Sequence, residues 1–162
     1  MPAMPIRLWL RTGATTALVD FCFASALSVY GYHSTFARLW QGVASVPFGA
    51  GVIGAGERWT LAGIALHVLV AFTWSAVFLL LIARSPRLRR AVTSPWGVLA
   101  VAALYGPAIW LFMSLVLIPL FTHRAPAFTV RWLIQLAGHV VFVGLPIVWT
   151  ASRPLRPGGS SL

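Results

Sequence analysis

Acidic residues are almost missing from this chain: Asp20 and Glu57 are the only two in 162 residues. That leaves little for hydrolytic chemistry built on paired carboxylates. The chain also carries no HExxH, no P-loop and no Ser-His-Asp order. Lysine is absent, so all twelve cations are arginines. Cysteine occurs once, at Cys22, which rules out an internal disulfide. Inside an apolar helix that thiol is expected to act as a small packing residue. Charge of either sign is scarce, 9% of residues against 59% hydrophobic, and the mean hydropathy is +0.87. A soluble fold of this size has too little interior to hide so much apolar surface, whereas a bilayer does not require it to be hidden.

What charge there is sums to +10. Such a balance can mark a nucleic-acid binder, but here the arginines lie beside or between apolar runs rather than along one soluble face. They are expected against phospholipid headgroups, and no nucleic-acid partner is expected.

The longest uncharged run, residues 60–83, anchors the reading. At 1.5 Å per residue it makes about 36 Å of helix, enough to cross a hydrocarbon core of about 30 Å with some tilt. Arg84, Arg87, Arg89 and Arg90 follow at once and mark its cytoplasmic end. Three further spans are expected at 12–31, 96–121 and 129–150. Arg7 and Arg11 before an apolar run, with Ala24-Ser25-Ala26 after it, resemble a cleaved signal. Asp20 within the run and apolar residues continuing to Tyr30 argue instead for a retained first helix. Gly13, Ala17, Asp20, Ala24, Leu27 and Gly31 form one mostly small face of that span, suited to close helix packing or to homo-oligomers. Ser94-Pro95 is a start signal for the third span, Gly106-Pro107 is expected to kink it, and Pro146 to bend the fourth. With the N-terminus inside, eight arginines are cytoplasmic (the four above with Arg7, Arg11, Arg153 and Arg156) and four lie outside (Arg38, Arg58, Arg124 and Arg131), favouring both termini in the cytoplasm.

Between the first two spans, Phe36, Trp40, Val43 and Pro47 share a helical face while Arg38, Gln41 and Ser45 turn elsewhere. This predicts a short amphipathic helix at the outer interface. The glycine-rich piece after it matches GxGxxG at Gly49, Gly51 and Gly54, but no strand precedes it, so it reads as a tight turn or re-entrant segment. An extra span over 36–56 is disfavoured, because it would place the four-arginine cluster outside.

Depth along the helices singles out three ionisable groups. Counted from the outer ends, His67 lies about 10 Å down, His139 about 15 Å and Asp20 about 16 Å. An intramembrane acid is costly, so Asp20 should face the bundle and pair with His67 or His139. Arg131, Gln135 and His139 form a descending polar stripe; Gly63, His67, Ala71 and Trp74 or Ser75 share a face; Trp110 lies at similar depth with an indole N–H that wants an acceptor. The group Asp20, His67, His139, Gln135 and Trp110 supports three readings: hydrogen-bond glue for the bundle, a proton-conducting or ligand-binding cavity, or, with His67 and His139 as axial ligands, a b-type haem site. No cofactor is required by the pattern. His33 and His123 at the outer surface lack the partners of a metal site. Glu57 beside Arg58 reads as a local ion pair or exposed charge.

Ala65-Leu66-His67, Trp74-Ser75-Ala76-Val77, Leu104-Tyr105-Gly106, Trp110 to Met113, Val116 to Leu120, and Gly138-His139 with Val143 to Ile147 together resemble a family of small, uncharacterised four-helix bacterial inner-membrane proteins. The resemblance implies an inner-membrane location and supplies no catalytic residues. It departs from the family pattern at Ser114, where that pattern has Asn, and at Phe121, where it has Ser. The expected architecture is all-α: a polytopic domain over 1–152 with four transmembrane helices and an interfacial or re-entrant segment between the first two, then a disordered cytoplasmic tail over 153–162. The leading functional expectation is a structural or accessory membrane component, with a small transporter or proton-translocating subunit as the alternative and a haem-binding electron carrier as the third.

Overall fold

The computed structural model describes residues 6–156, so the tail expectation for 157–162 lies outside the described residues. The described residues fold into helices and connecting turns. We number them α1 (Ile6–Gly31), α2 (Phe36–Phe48), α3 (Glu57–Arg84), α4 (Pro86–Ala91), α5 (Pro95–Thr122) and α6 (Val130–Leu155). Of these, α1, α3, α5 and α6 are long and apolar enough to cross a membrane. Helix starts follow local chemistry: the hydroxyls of Thr35, Ser85, Ser94 and Thr129 accept from the third backbone N–H beyond them, capping α2, α4, α5 and α6. Ser94-Pro95 starts α5 as its sequence indicates. Arg153–Leu155 form a closing 3₁₀ turn, and the Arg156 guanidinium stacks over Trp149, 4.0 Å from the ring centre, while donating to its carbonyl.

The four long helices alternate in direction. Their arginine-rich end is sealed by a dry core in which Phe78, Leu79 and Ile82 of α3 meet Val98 and Ala102 of α5 and Ile147, Val148 and Ala151 of α6. Close backbone approach sets this packing. A Cβ on Gly106 would strike the His139 carbonyl, and one on Gly144 would strike that of Ala102, so α5 and α6 lie against each other at glycine. The expected small face of α1 packs on α3 through Gly13, over which the Phe72 ring sits, and through Ala17. Cys22, expected to pack inward, is exposed on the outward side of α1 instead.

Three of the long helices carry a widened turn, and in α5 and α6 a proline follows it; the one in α1, Leu27–Gly31, has none. Helix α5 keeps α-helical winding through Pro107 and widens to i→i+5 bonding only at Met113–Leu117; α6 widens at Val140–Gly144. Pro119 and Pro146 each lack the N–H for, and crowd, a carbonyl four residues back, at Leu115 and Phe142, inside these widened turns. The widened turn in α5 thus lies before Pro119, while the winding stays α-helical at Gly106-Pro107.

Helix α2 forms where its pattern predicts, but it is 13 residues long, about 20 Å, too short for the extra crossing. Its buried side differs from the expected one. Trp40, Gln41 and Ala44 are buried, whereas Phe36, Arg38 and Pro47 are exposed. It lies on α3 so closely that Gly63 faces the Trp40 carbonyl with no room for a side chain. The turn after it uses positive φ at Gly49, Gly54 and Gly56. Gln41 ties helix and turn together, donating to the Gly56 carbonyl (3.2 Å) and to Thr60 Oγ1 (3.3 Å) and accepting from the Gly54 N–H (2.8 Å). Gln41→Leu leaves these buried groups unpaired and is expected to cost about 1–3 kcal/mol, read as a fall in thermal midpoint of the purified protein.

Candidate functional site

Away from the dry core, the far half of the bundle is hollow. A half-enclosed cavity of about 660 Å³ lies between α1, α3, α5 and α6, with α2 as its cover: α2 packs on α3 and reaches the far end of α5 at Ile118–Thr122. The walls are mostly apolar, with Leu39, Val43 and Val46 from α2 opposite Met113, Leu117 and Phe121 from α5. Apart from tryptophan N–H groups, the polar side chains are few and come from three helices. Helix α1 presents Thr16, Asp20 and Ala24 at spacing four; α3 presents His67; α6 presents Gln135, His139 and Val143, again at spacing four.

The structure brings Asp20, His67, His139, Gln135 and Trp110 onto this one cavity. Asp20 Oδ2 is 3.7 Å from His67 Nδ1, and both side chains are largely buried. His67 Nε2 is 3.1 Å from the Ala17 carbonyl. A carbonyl only accepts, so Nε2 carries a hydrogen and Nδ1 is left to face the acid. His139 Nδ1 donates to the Gln135 carbonyl at 2.7 Å by the same logic, which leaves Nε2 without a hydrogen-bond partner among the described residues. Asp20 also lies within electrostatic range of His139. The Trp110 ring lies 4.8 Å from that of His139, and its indole N–H has no acceptor among the described residues.

Aromatic residues that sequence reasoning did not assign to the site complete it. Trp40 is almost wholly buried (1% exposed); it stacks on Phe21 at 4.8 Å and meets the His67 ring edge-on at 5.0 Å. Its N–H is also unpartnered. Trp74 lines the cavity floor and accepts through its backbone carbonyl from Tyr105 Oη at 2.7 Å. The signal for Trp40 was present in the helical face it shares with Val43; Trp40 is buried and Val43 borders the cavity, while Phe36 at the start of that face is exposed. Farther out, Arg131 is exposed with its guanidinium 4.4 Å from the Tyr32 ring centre, so the polar stripe enters the cavity only from Gln135 downward. His33 and His123 both adopt positive φ in the far-end loops and lie outside the cavity. Glu57 opens α3, where an acid suits the helix N-terminus, and Arg58 lies over Trp59.

The donor set fits bis-imidazole haem ligation poorly. Both ring nitrogens of His67 are already directed, one at a carbonyl and one at a carboxyl, so no lone pair is turned to an iron. A largely apolar chamber of several hundred cubic ångströms with a few convergent polar groups has the form of a small-molecule site. Compared with family models, curated proteins and solved structures, the chain matches none.

Proposed function

We propose that this chain is an integral protein of a bacterial inner membrane, with both termini cytoplasmic, whose far-half cavity binds a small lipid-soluble molecule beside a protonatable Asp–His group. The observation that supports this over bundle glue is the empty volume itself. Polar groups that serve only to hold helices together satisfy one another, whereas here Asp20, His139 and Gln135 converge on a chamber of about 660 Å³. Transport or proton-coupled binding accounts for such an arrangement better than an inert accessory role. Helix α2, with its backbone polar groups covered by α3, would sit as a re-entrant cover in the outer leaflet.

A neutral reporter tests the reading. N-phenyl-1-naphthylamine, added to the protein in nanodiscs, is expected to give saturable energy transfer from tryptophan at about one site per chain. Val43→Phe, which fills the chamber from α2, is expected to weaken that binding about tenfold, a loss of about 1.4 kcal/mol. Transfer that never saturates, or that ignores Val43→Phe, removes the cavity from consideration.

A further inference from the structure

We infer that the cavity takes hydrophobic monovalent cations, of the ammonium or phosphonium kind, and releases one proton from the Asp20–His67 pair when it does so. This rests on the ligand-binding reading above and adds the sign of the ligand's charge and its exchange partner.

The charged and titratable groups facing the chamber are few. Helix α1 contributes Asp20, α3 His67 and α6 His139; α2 and α5 contribute none, and no arginine lines it. Arg38, Arg58, Arg124 and Arg131 at this end are all exposed, where salt screens them. With neutral imidazoles the chamber therefore has one site of negative charge and no fixed positive one. An anionic ligand would meet a carboxylate with no counter-charge, and a neutral ligand would gain nothing from ionising Asp20.

A cation gains twice. The first gain is the carboxylate, and the second is the aromatic lining: Trp40, Trp74 and Trp110 all border the same space, and ring faces attract desolvated cations. Proton accounting follows from the geometry of His67. Its Nε2 hydrogen is held by the Ala17 carbonyl, so a further proton taken up by the pair has its place between Asp20 and Nδ1, 3.7 Å apart. With that proton the pair is neutral overall. When a cation settles on the carboxylate the proton leaves to water, the pair becomes one negative charge, and the cation cancels it. No covalent bond to the ligand forms, and the net charge of the chamber is unchanged.

The test uses the whole chain in nanodiscs with tetraphenylphosphonium as the cation and tetraphenylborate as its near-isosteric anion, followed by saturable tryptophan quenching and by calorimetry in two buffers of different ionisation enthalpy. Tetraphenylphosphonium is expected to bind, to release about one proton per cation, and to tighten about tenfold per pH unit while the pair is protonated. Tetraphenylborate is expected not to bind saturably. Asp20→Asn is expected to weaken the cation at least about tenfold and to abolish proton release, with its fold checked separately by monodisperse elution and thermal midpoint. If Asp20→Asn does not fold, the proton count and the cation-to-anion preference of the wild-type protein decide. Cation binding without proton release, or equal binding of the anion, overturns the inference. A chamber that takes the neutral reporter but not the cation overturns it while leaving the ligand-binding reading in place; one that takes neither ends both.

Discussion

Gly106→Leu is expected to yield no folded monomer: in detergent the variant should elute as aggregate, and Gly106→Ala should fold with a clearly lowered thermal midpoint. Position 106 is where α5 lies on α6. Even one carbon added there would fall on the His139 carbonyl and within 3.0 Å of the Val140 N–H nitrogen. These are backbone atoms, which cannot swing aside as the end of a side chain can. Gly144 returns the contact, its would-be Cβ lying 2.9 Å from the Gly106 nitrogen, so the two helices meet through a pair of glycines with nothing soft between them. Alanine therefore forces a shift of whole helices, at a cost of about 1–3 kcal/mol, and leucine asks for more displacement than the dry core beside it tolerates. Because the clash falls on His139, Gly106→Ala should also weaken reporter binding in the cavity. An alanine variant with wild-type stability and wild-type binding would contradict this account of the interface.

The second large effect is expected at Gly63. Valine there collides with the Trp40 carbonyl, again a backbone atom, and α2 must lift from α3. Lifting α2 exposes Trp40, breaks the Gln41 bonds to the following turn and opens the cavity along its cover. The long helices keep their own core at the arginine-rich end, so the expected outcome is a protein that still purifies as a folded species but loses saturable reporter binding. Tryptophan emission should move to longer wavelength as Trp40, 1% exposed in the wild type, gains solvent. Gly63→Val with unchanged emission and unchanged binding would show that α2 is not held by this contact.

Much of this arrangement was legible in the residues. Long apolar stretches with arginines near their ends mark the four long helices, their ends falling within six residues of the expected ones. Depth counting placed Asp20, His67 and His139 in one layer; Asp20 and His67 lie 3.7 Å apart, and His139 borders the same cavity from another helix. The covering helix was only half legible. Its face of Phe36, Trp40, Val43 and Pro47 satisfies an amphipathic pattern, yet apolar residues look alike whether they face lipid or a protein cavity. Gln41, read as turned away from that face, is buried because it pairs with Gly54 and Gly56 of the next turn and with Thr60 of α3, and those partners adjoin it only after the chain folds back. The outward position of Cys22 was hidden for the same reason: composition cannot tell which side of an apolar helix a neighbour occupies. The close contacts of Gly63 and Gly106 concern two helices at once and leave no mark in either alone.

The widened turn after His139 has a consequence for how α6 serves two different surroundings. In a regular α-helix a set of residues at spacing four advances by about 40° per step, so His139, Val143, Ile147 and Ala151 would wind away from any single neighbour. Bonding of the i→i+5 kind over Val140–Gly144 takes more than four residues to a turn and reverses that advance over one step. Val143, Ile147 and Ala151 all remain buried as a result. The turn acts as a phase correction, letting one helix point an imidazole into a chamber at one level and aliphatic carbons into solid packing one turn below. Pro146 supplies it by refusing a single hydrogen bond.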